Sequence, residues 1–211
     1  MLVKIVLATR NKYKVEEIKE ILKIYLNDEL YSKLEILCAD DFHGIPKVEE
    51  DGRSYVENAL KKAREIHKFT GLPSIADDSG IEVDFLNGEP GVYSARYAGD
   101  NATDEENNRK LLRKLENVPL EKRTAIFRCV IAYVYKDEVK IFEGETKGKV
   151  IFEPRGTGGF GYDPLFIPDG YNLTYAEMPK DLKNRISHRA KAVQKFVEFF
   201  IEVLKTNLNS P

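Results

Sequence analysis

Two long β-rich segments in the second half of the chain limit its possible folds more than any other feature. Residues 124–135 and 140–151 are dense in β-branched and aromatic side chains, and Lys136-Asp137-Glu138 separates them. This pattern predicts an antiparallel hairpin. Because two strands alone are at best marginally stable in water, the hairpin must pack within a larger sheet.

Other segments supply further strands and the helices that cover the sheet. Residues 2–8, 34–39 and 74–76 are predicted strands, and residues 12–26 have apolar side chains at helical spacing. Capping boxes at Ser54–Glu57 and Thr103–Glu106 open two more helices. A last amphipathic helix carries Val193, Phe196, Phe200 and Leu204. We therefore predict a single α/β domain over residues 1–211, with a long central mixed sheet and helices at both ends.

Composition excludes several classes of partner. Lys and Arg number 33 against 35 Asp and Glu, a net charge of −2 that does not predict binding to nucleic acid. The longest apolar run, residues 129–135, is too short to span a bilayer. The N-terminal segment is interrupted by Lys4 and is too short for a signal peptide. The sequence thus predicts a cytoplasmic protein with no membrane partner.

The segment between the first strand and the first helix is a candidate phosphate site. Ligands of open α/β sheets bind beyond the carboxyl ends of strands, and N–H groups at a helix start favour phosphate. Lys14 adds a positive charge at that position. The alternative is an Asn or Thr cap followed by solvated lysines, and this segment alone favours that alternative.

Two acidic segments are candidate metal ligands. Asp77 and Asp78 are predicted to close an apolar strand, where Mg²⁺ with substrate phosphate would compensate their charge. An Asp-Ser-Gly turn explains them equally well. Glu49-Glu50-Asp51 adds carboxylates before a helix, although charge in a solvated loop is the simpler account.

Two segments nearer the C-terminus are candidates for binding a nucleoside. Residues 156–164 are rich in Gly, which permits close backbone approach to a ligand, and Phe160 or Tyr162 is able to stack on a base. A hairpin exit with core aromatics is the alternative. Basic residues crowd the start of the last helix, and a solvated basic face is the alternative there.

Taken together, separate blocks along nearly the whole chain resemble the inosine triphosphate pyrophosphatase family, which removes noncanonical purine nucleoside triphosphates. The blocks are residues 7–14, Glu57-Asn-Ala59, residues 76–80, 90–96 and 156–164, and Ser187-His-Arg189. Arg10 departs from the pattern, because many members of the family have Gly there. The resemblance implies an elongated mixed sheet between two lobes, with a substrate cleft between the lobes as in Maf/ITPase-like folds. It also implies a homodimer that hydrolyses ITP, dITP and XTP to the monophosphate and pyrophosphate with Mg²⁺.

The resemblance also implies roles for individual residues. Asp78 would be the general base and a metal ligand, with Glu50 as the second ligand and Glu49 as its alternative. The triphosphate would be held by Thr9, Arg10, Asn11, Lys12, Tyr13 and Lys14, and Ser79 would contact the substrate. The nucleoside and its base would be held by Phe160, Gly161, Tyr162, Asp163, Lys183, His188 and Arg189.

Two other functions compete with this interpretation. A Maf-type pyrophosphatase would act on pyrimidine or modified nucleotides, but the His188-Arg189 element and the Gly-rich segment argue against it. A nucleotide-binding or RNA-binding module without turnover predicts a broad basic face. This chain instead has carboxylates near its basic segments.

Overall fold

The computed structural model describes residues 2–209. Within these residues six strands and six α-helices follow one another, with short 3₁₀ segments between some of them. In chain order they are β1 (Val3–Leu7), α1 (Lys12–Tyr25), α2 (Asp28–Ser32), β2 (Leu34–Cys38), α3 (Tyr55–Thr70), β3 (Ser74–Val83), α4 (Asp104–Lys114), β4 (Thr124–Tyr135), β5 (Glu138–Val150), β6 (Phe166–Pro168), α5 (Lys180–Ile186) and α6 (His188–Asn209).

The strands form one mixed sheet in the order β2-β1-β3-β4-β5-β6. Strand β1 runs parallel to both β2 and β3, whereas β5 and β6 are antiparallel. The predicted hairpin is present as β4 and β5, which the two residues Lys136 and Asp137 connect. The mixed α/β class predicted from the sequence is therefore confirmed, while the substrate cleft between lobes stays a prediction.

The chain divides into two compact units. Unit 1 comprises residues 1–78, 129–144 and 189–211, and unit 2 comprises residues 79–128 and 145–188. The core of unit 1 packs α1 and α6 with β1, and it includes Ile5, Ile21, Phe196 and Phe200. The core of unit 2 includes Leu111 of α4 together with Ile81, Phe127 and Phe166 of the strands. No helix within residues 2–209 combines the length and apolar character that crossing a membrane requires.

Strand β3 differs from its prediction. The sequence indicated a short strand ending at Asp77, but β3 continues through Asp77 and Asp78 to Val83. Both carboxylates are almost fully buried, at 1 % and 5 % exposure. The strand continues because cationic side chains of α1, α3 and α6 compensate the two charges, which a search for apolar runs does not detect.

The predicted helix starts are formed by capping residues. Thr103 and Glu106 make the complete reciprocal capping box at the start of α4. At the start of α3, Ser54 accepts a hydrogen bond from the Glu57 N–H, but Glu57 accepts from the N–H of Arg53 instead of Ser54. Both helices begin within one residue of the predicted positions.

Candidate active site

The residues predicted to bind phosphate form the connection from β1 to α1. Asn11 caps the helix, because its Oδ1 accepts from the backbone N–H of Tyr13 at 3.0 Å and of Lys14 at 3.3 Å. Thr9 Oγ1 accepts from the Asn11 N–H at 3.1 Å. The capping alternative is thus correct for Asn11, and Lys12 is exposed as that alternative expects. Lys14 behaves differently, because its Nζ lies 2.7 Å from Asp77 Oδ1.

The other two residues of this segment face away from the buried carboxylates. The Arg10 guanidinium donates to the Ile45 carbonyl at 2.9 Å and lies 3.9 Å from the Asp40 carboxylate. The Tyr13 side chain is exposed. Of the basic residues in this segment, Lys14 is therefore the one that joins the buried charges of unit 1.

Asp77 and Asp78 point to opposite faces of β3, as consecutive strand residues do. Asp77 Oδ2 accepts from Arg189 Nη2 at 3.0 Å and from Arg189 Nε at 3.2 Å. Asp78 Oδ2 accepts from Asn58 Nδ2 at 3.1 Å, and its Oδ1 lies 3.5 Å from Lys62 Nζ. The two neighbours thus belong to different sets of contacts.

Those contacts shift the two pKa values in opposite directions. Burial by itself would raise the pKa of Asp77, but Lys14, Arg189 and Lys62 outweigh it and lower that pKa far below its ordinary value. Burial raises the pKa of Asp78, and the charges of Lys62 and Lys14 offset this only in part. Asp77 is therefore a fixed anion, whereas Asp78 is a carboxylate with an increased tendency to accept a proton.

Lys62 of α3 links the acidic groups and was not identified from the sequence. Its buried Nζ lies 2.5 Å from Glu50 Oε1 and donates to the Asp77 carbonyl at 2.7 Å. A signal was present, because Asn58 and Lys62 are one helical turn apart on the otherwise apolar, buried face of α3. Polar residues on such a face require buried partners, and here the partners are the predicted catalytic carboxylates.

Glu17 of α1 is a second residue that sequence reasoning missed. It is buried, and it accepts a hydrogen bond from Arg189 Nη1. The signal was a carboxylate one turn after Lys14 that immediately precedes the buried residue Ile18. Glu17 and Asp77 together hold the Arg189 guanidinium in unit 1.

The carboxylates of Glu50 and Asp78 are suited to hold a cation together. Both contact the ammonium group of Lys62, which shows that the two side chains converge on one positive charge. Glu50 is half-buried beside Lys62, whereas Glu49 is exposed. Within the described residues no group of three or more His, Cys, Asp or Glu side chains is arranged to hold a metal ion. Two carboxylates completed by substrate oxygens are a common arrangement for Mg²⁺.

With the exception of Arg189, which belongs to unit 1, the residues predicted to hold the nucleoside and its base lie in unit 2. Lys183 Nζ is 2.6 Å from Asp163 Oδ2, and both side chains are buried. The same oxygen accepts from the Phe160 N–H at 2.9 Å, and the Lys183 ammonium lies 5.2 Å from the centre of the Phe160 ring. These contacts bring Phe160, Asp163 and Lys183 together.

Only one of the two candidate stacking residues is accessible. Phe160 is half-exposed, whereas Tyr162 is buried and donates its hydroxyl to the Ser94 carbonyl at 2.8 Å. His188 is also buried and stacks on Phe127 at 4.5 Å between ring centres. Ser79, the residue of β3 that follows Asp78, is half-buried. The accessible aromatic surface of this segment therefore belongs to Phe160.

Comparison with known proteins identifies the family. The model of the Ham1 family matches residues 5–199. A dITP/XTP pyrophosphatase from Geobacter sulfurreducens is 52 % identical over 191 residues, which cover 90 % of this chain and 92 % of that protein. A dITP/XTP pyrophosphatase from Desulforamulus reducens is 48 % identical over 92 % of this chain and 94 % of its own length.

Solved structures agree with the sequence comparisons. The structure of a HAM1 protein from Coxiella burnetii matches with a TM-score of 0.83 and 41 % identity, covering 95 % of this chain and 100 % of that one. The Ham1 protein of Staphylococcus aureus matches with a TM-score of 0.82 and 38 % identity, covering 95 % and 99 % of the two chains. With sequence and structure in agreement over nearly its whole length, the chain belongs to the Ham1 family.

Proposed function

We propose that the protein hydrolyses noncanonical purine nucleoside triphosphates, namely ITP, dITP and XTP, to the nucleoside monophosphate and pyrophosphate. Relatives that are about half identical over most of their length are dITP/XTP pyrophosphatases. The observation that carries the proposal is the Asp78 carboxylate, which is buried, has a raised pKa and lies beside Lys62 and Glu50. Clearance of wrong bases from the nucleotide pool is the resulting role.

Asp78 is proposed to act as the general base. Its Oδ2 is oriented by Asn58, and its raised pKa favours acceptance of a proton from the attacking water. The α–β anhydride bond of the substrate is then broken, and pyrophosphate leaves. Because the base must be ionised to accept the proton, the rate falls when acid protonates Asp78.

The leaving pyrophosphate carries negative charge that the site must offset. Lys14 supplies one cation, and Asp77 holds it in place, with its Oδ1 2.7 Å from the Lys14 Nζ. Glu50 and Asp78 are the proposed ligands of Mg²⁺, which when bound would neutralise phosphate charge. The neighbouring residues Thr9, Arg10, Asn11, Lys12 and Tyr13 are proposed to complete the phosphate-binding segment.

Base selection is assigned to the residues around Phe160. The half-exposed ring of Phe160 offers a stacking surface, and the buried Lys183 ammonium beside it is a donor for O6 of hypoxanthine or xanthine. Adenine has an amino group at that position, so the same donor disfavours ATP. Gly161, Tyr162 and Asp163 support this segment, and His188 contributes to its aromatic core.

A homodimer, a cytoplasmic location and the absence of a nucleic acid or membrane partner complete the proposal.

Arg189 has a different set of partners from the one expected. Although His188 is its chain neighbour, the Arg189 guanidinium donates to Asp77 and Glu17 in unit 1. We therefore propose that Arg189 supports the anion that holds Lys14. Contact between Arg189 and the base stays a prediction from the resemblance.

The proposal is tested by measuring pyrophosphate release from ITP, dITP, XTP, GTP and ATP with and without Mg²⁺. We expect Asp78→Asn and excess chelator each to abolish turnover of ITP, with the variant retaining a cooperative thermal transition. Glu50→Gln should also lose activity. Its matched control is Asp51→Asn, which removes an exposed carboxylate that pairs with Lys61. Full activity in excess chelator, or equal efficiency on ATP and ITP, would refute the proposal.

A further inference from the structure

Helix α4 holds the backbone of Gly161 on both sides of its Cα. Its N–H donates to the Asp104 carboxylate at 2.6 Å, and its carbonyl accepts from the Asn108 side-chain amide at 2.9 Å. Asp104 and Asn108 are four residues apart and so occupy the same face of α4. One turn of helix therefore fixes the two successive peptide groups that flank the Gly161 Cα.

Helix α4 is well suited to serve as a fixed support. Asn107 accepts from the Ala98 N–H at 2.8 Å and donates to the Ala95 carbonyl at 3.2 Å. Leu111 is fully buried in the core of unit 2. Because the helix is anchored by residues other than Asp104 and Asn108, those two side chains are available to act on the loop.

Packing alone does not hold the loop against α4. A cavity of about 450 Å³ is lined both by residues 156–161 and by Asp104 and Asn108. Gly161 itself has a left-handed φ of +61° and no atom within 4 Å of the position that a Cβ would take. The hydrogen bonds of the Gly161 N–H and carbonyl are thus what ties the backbone of Gly161 to α4.

Asn108 has a feature that fits a specific role. It is buried, and within residues 2–209 no donor reaches its Oδ1, whereas its Nδ2 donates to Gly161. A buried acceptor without a partner destabilises a fold. An apolar side chain would avoid that loss, so the bond to Gly161 is the evident contribution of this residue.

We infer that Asp104 and Asn108 are positioning residues that set the affinity and base selectivity of the segment from Phe160 to Asp163. Gly161 lies between Phe160 and Tyr162 in the chain, and the Phe160 N–H donates a hydrogen bond to the Asp163 carboxylate. Hydrogen bonds to the peptides on both sides of Phe160 therefore restrain the backbone from which its ring projects. This inference rests on the proposed function, because it assumes that Phe160 and Lys183 contact the nucleoside.

Variants of near-native shape test the inference. Asn108→Asp keeps the size of the side chain but cannot donate to the Gly161 carbonyl, and Asp104→Ala removes the acceptor of the Gly161 N–H. Asp104→Asn retains an acceptor oxygen for the Gly161 N–H and should therefore behave like the wild type. Glu105→Gln is the matched control, because it removes the adjacent first-turn charge, which pairs with Arg109 and not with the loop.

Two measurements are made on each full-length variant. Hydrogen exchange of peptides covering residues 156–163 should be about 10-fold faster in Asn108→Asp and Asp104→Ala, since one net hydrogen bond is lost. The KM for ITP should rise about 10-fold with kcat changed by less than about three-fold, and the preference for ITP over ATP should narrow. Glu105→Gln and Asp104→Asn should match the wild type in both measurements.

Three results would overturn the inference. Unchanged exchange in both disrupting variants would show that the bonds to α4 do not order the loop, whatever the substrate. Faster exchange with an unchanged KM for ITP would show that loop order does not set affinity. Absence of hydrolysis of every triphosphate by the wild type would refute the proposed function and the positioning role together, and it differs from both other results.

Discussion

Asp77 and Asp78 are neighbours in the chain that have opposite electrostatic environments. The partners of Asp77 are the cations Lys14 and Arg189, whereas Asp78 has the neutral amide of Asn58 and a more distant Lys62. The pKa of Asp77 is lowered and that of Asp78 is raised. A pair of carboxylates with separated pKa values is a common way to divide a structural role from a catalytic one.

The lowered pKa of Asp77 predicts a pH dependence of stability. The folded state keeps Asp77 ionised where the unfolded chain takes up a proton, at an ordinary value of about 3.9. The stability contributed by Asp77 is therefore present above that value and is lost as the pH falls below it. We therefore expect the Tm of the wild type to fall as the pH is lowered from about pH 4 to about pH 2.

The variant Asp77→Asn isolates this contribution. At neutral pH it should be destabilised by about 3–5 kcal/mol, because Arg189 and Lys14 lose a buried anion. Its Tm should then change less than that of the wild type over the acid range. An equally steep acid dependence in the variant would assign the effect to other carboxylates.

At the scale of the element, the Gly-rich loop depends on close approaches that only Gly permits. A Cβ at Gly159 would lie 2.0 Å from Asp163 Oδ2, the oxygen that Lys183 and the Phe160 N–H share. We expect Gly159→Ala to displace Asp163 and to lower kcat/KM for ITP by about 10-fold or more, the equivalent of one charge-assisted hydrogen bond.

The matched control for this loop is Gly170→Ala. Gly170 also has a left-handed φ, +84°, but no atom lies within 4 Å of its Cβ position. Left-handed backbone strain of about 1–2 kcal/mol should therefore lower the Tm of Gly170→Ala while its activity is retained. If both variants lost the same activity, backbone strain and not the contact with Asp163 would be responsible.

At the scale of the whole molecule, the small net charge of the chain contrasts with the concentration of charged side chains in one part of unit 1. The chain carries a net charge of −2, yet the half-buried Lys14 and the buried Lys62 and Arg189 lie together in unit 1. Four carboxylates contact them, namely Glu17, Glu50, Asp77 and Asp78. With three positive and four negative side chains, the cluster has a net charge of −1. This charge favours binding of a further cation over binding of a further anion.

Binding of substrate should stabilise the whole protein by mass action. In Asp78→Asn, which prevents turnover, ITP at about 100 times its Kd with Mg²⁺ should stabilise the fold by about 2.7 kcal/mol. For a protein of this size the Tm should rise by roughly 5–10 °C. The shift is measured by thermal unfolding, with ATP at the same concentration as the control. Equal shifts with the two nucleotides would contradict selection of the base in the bound state.

The sequence by itself determined strands β1 and β2, the hairpin of β4 and β5, the starts of α1, α3 and α4, and the family. Hydrophobic periodicity and capping residues are local properties, so the hairpin and the start of α4 follow from neighbouring residues. The family followed because its motif blocks recur in order along the chain.

Only the tertiary structure decided which side chains share a buried environment. Lys62 and Glu17 each lie among apolar helix positions, and their partners are distant in the chain, as the pair Glu17 and Arg189 illustrates. The path of β3 through two carboxylates depends on the same long-range charges. The bonds from α4 to Gly161 likewise join residues more than 50 positions apart. Hydrogen bonds and charges act across space, so a local pattern can mark a buried polar side chain but does not identify its partner.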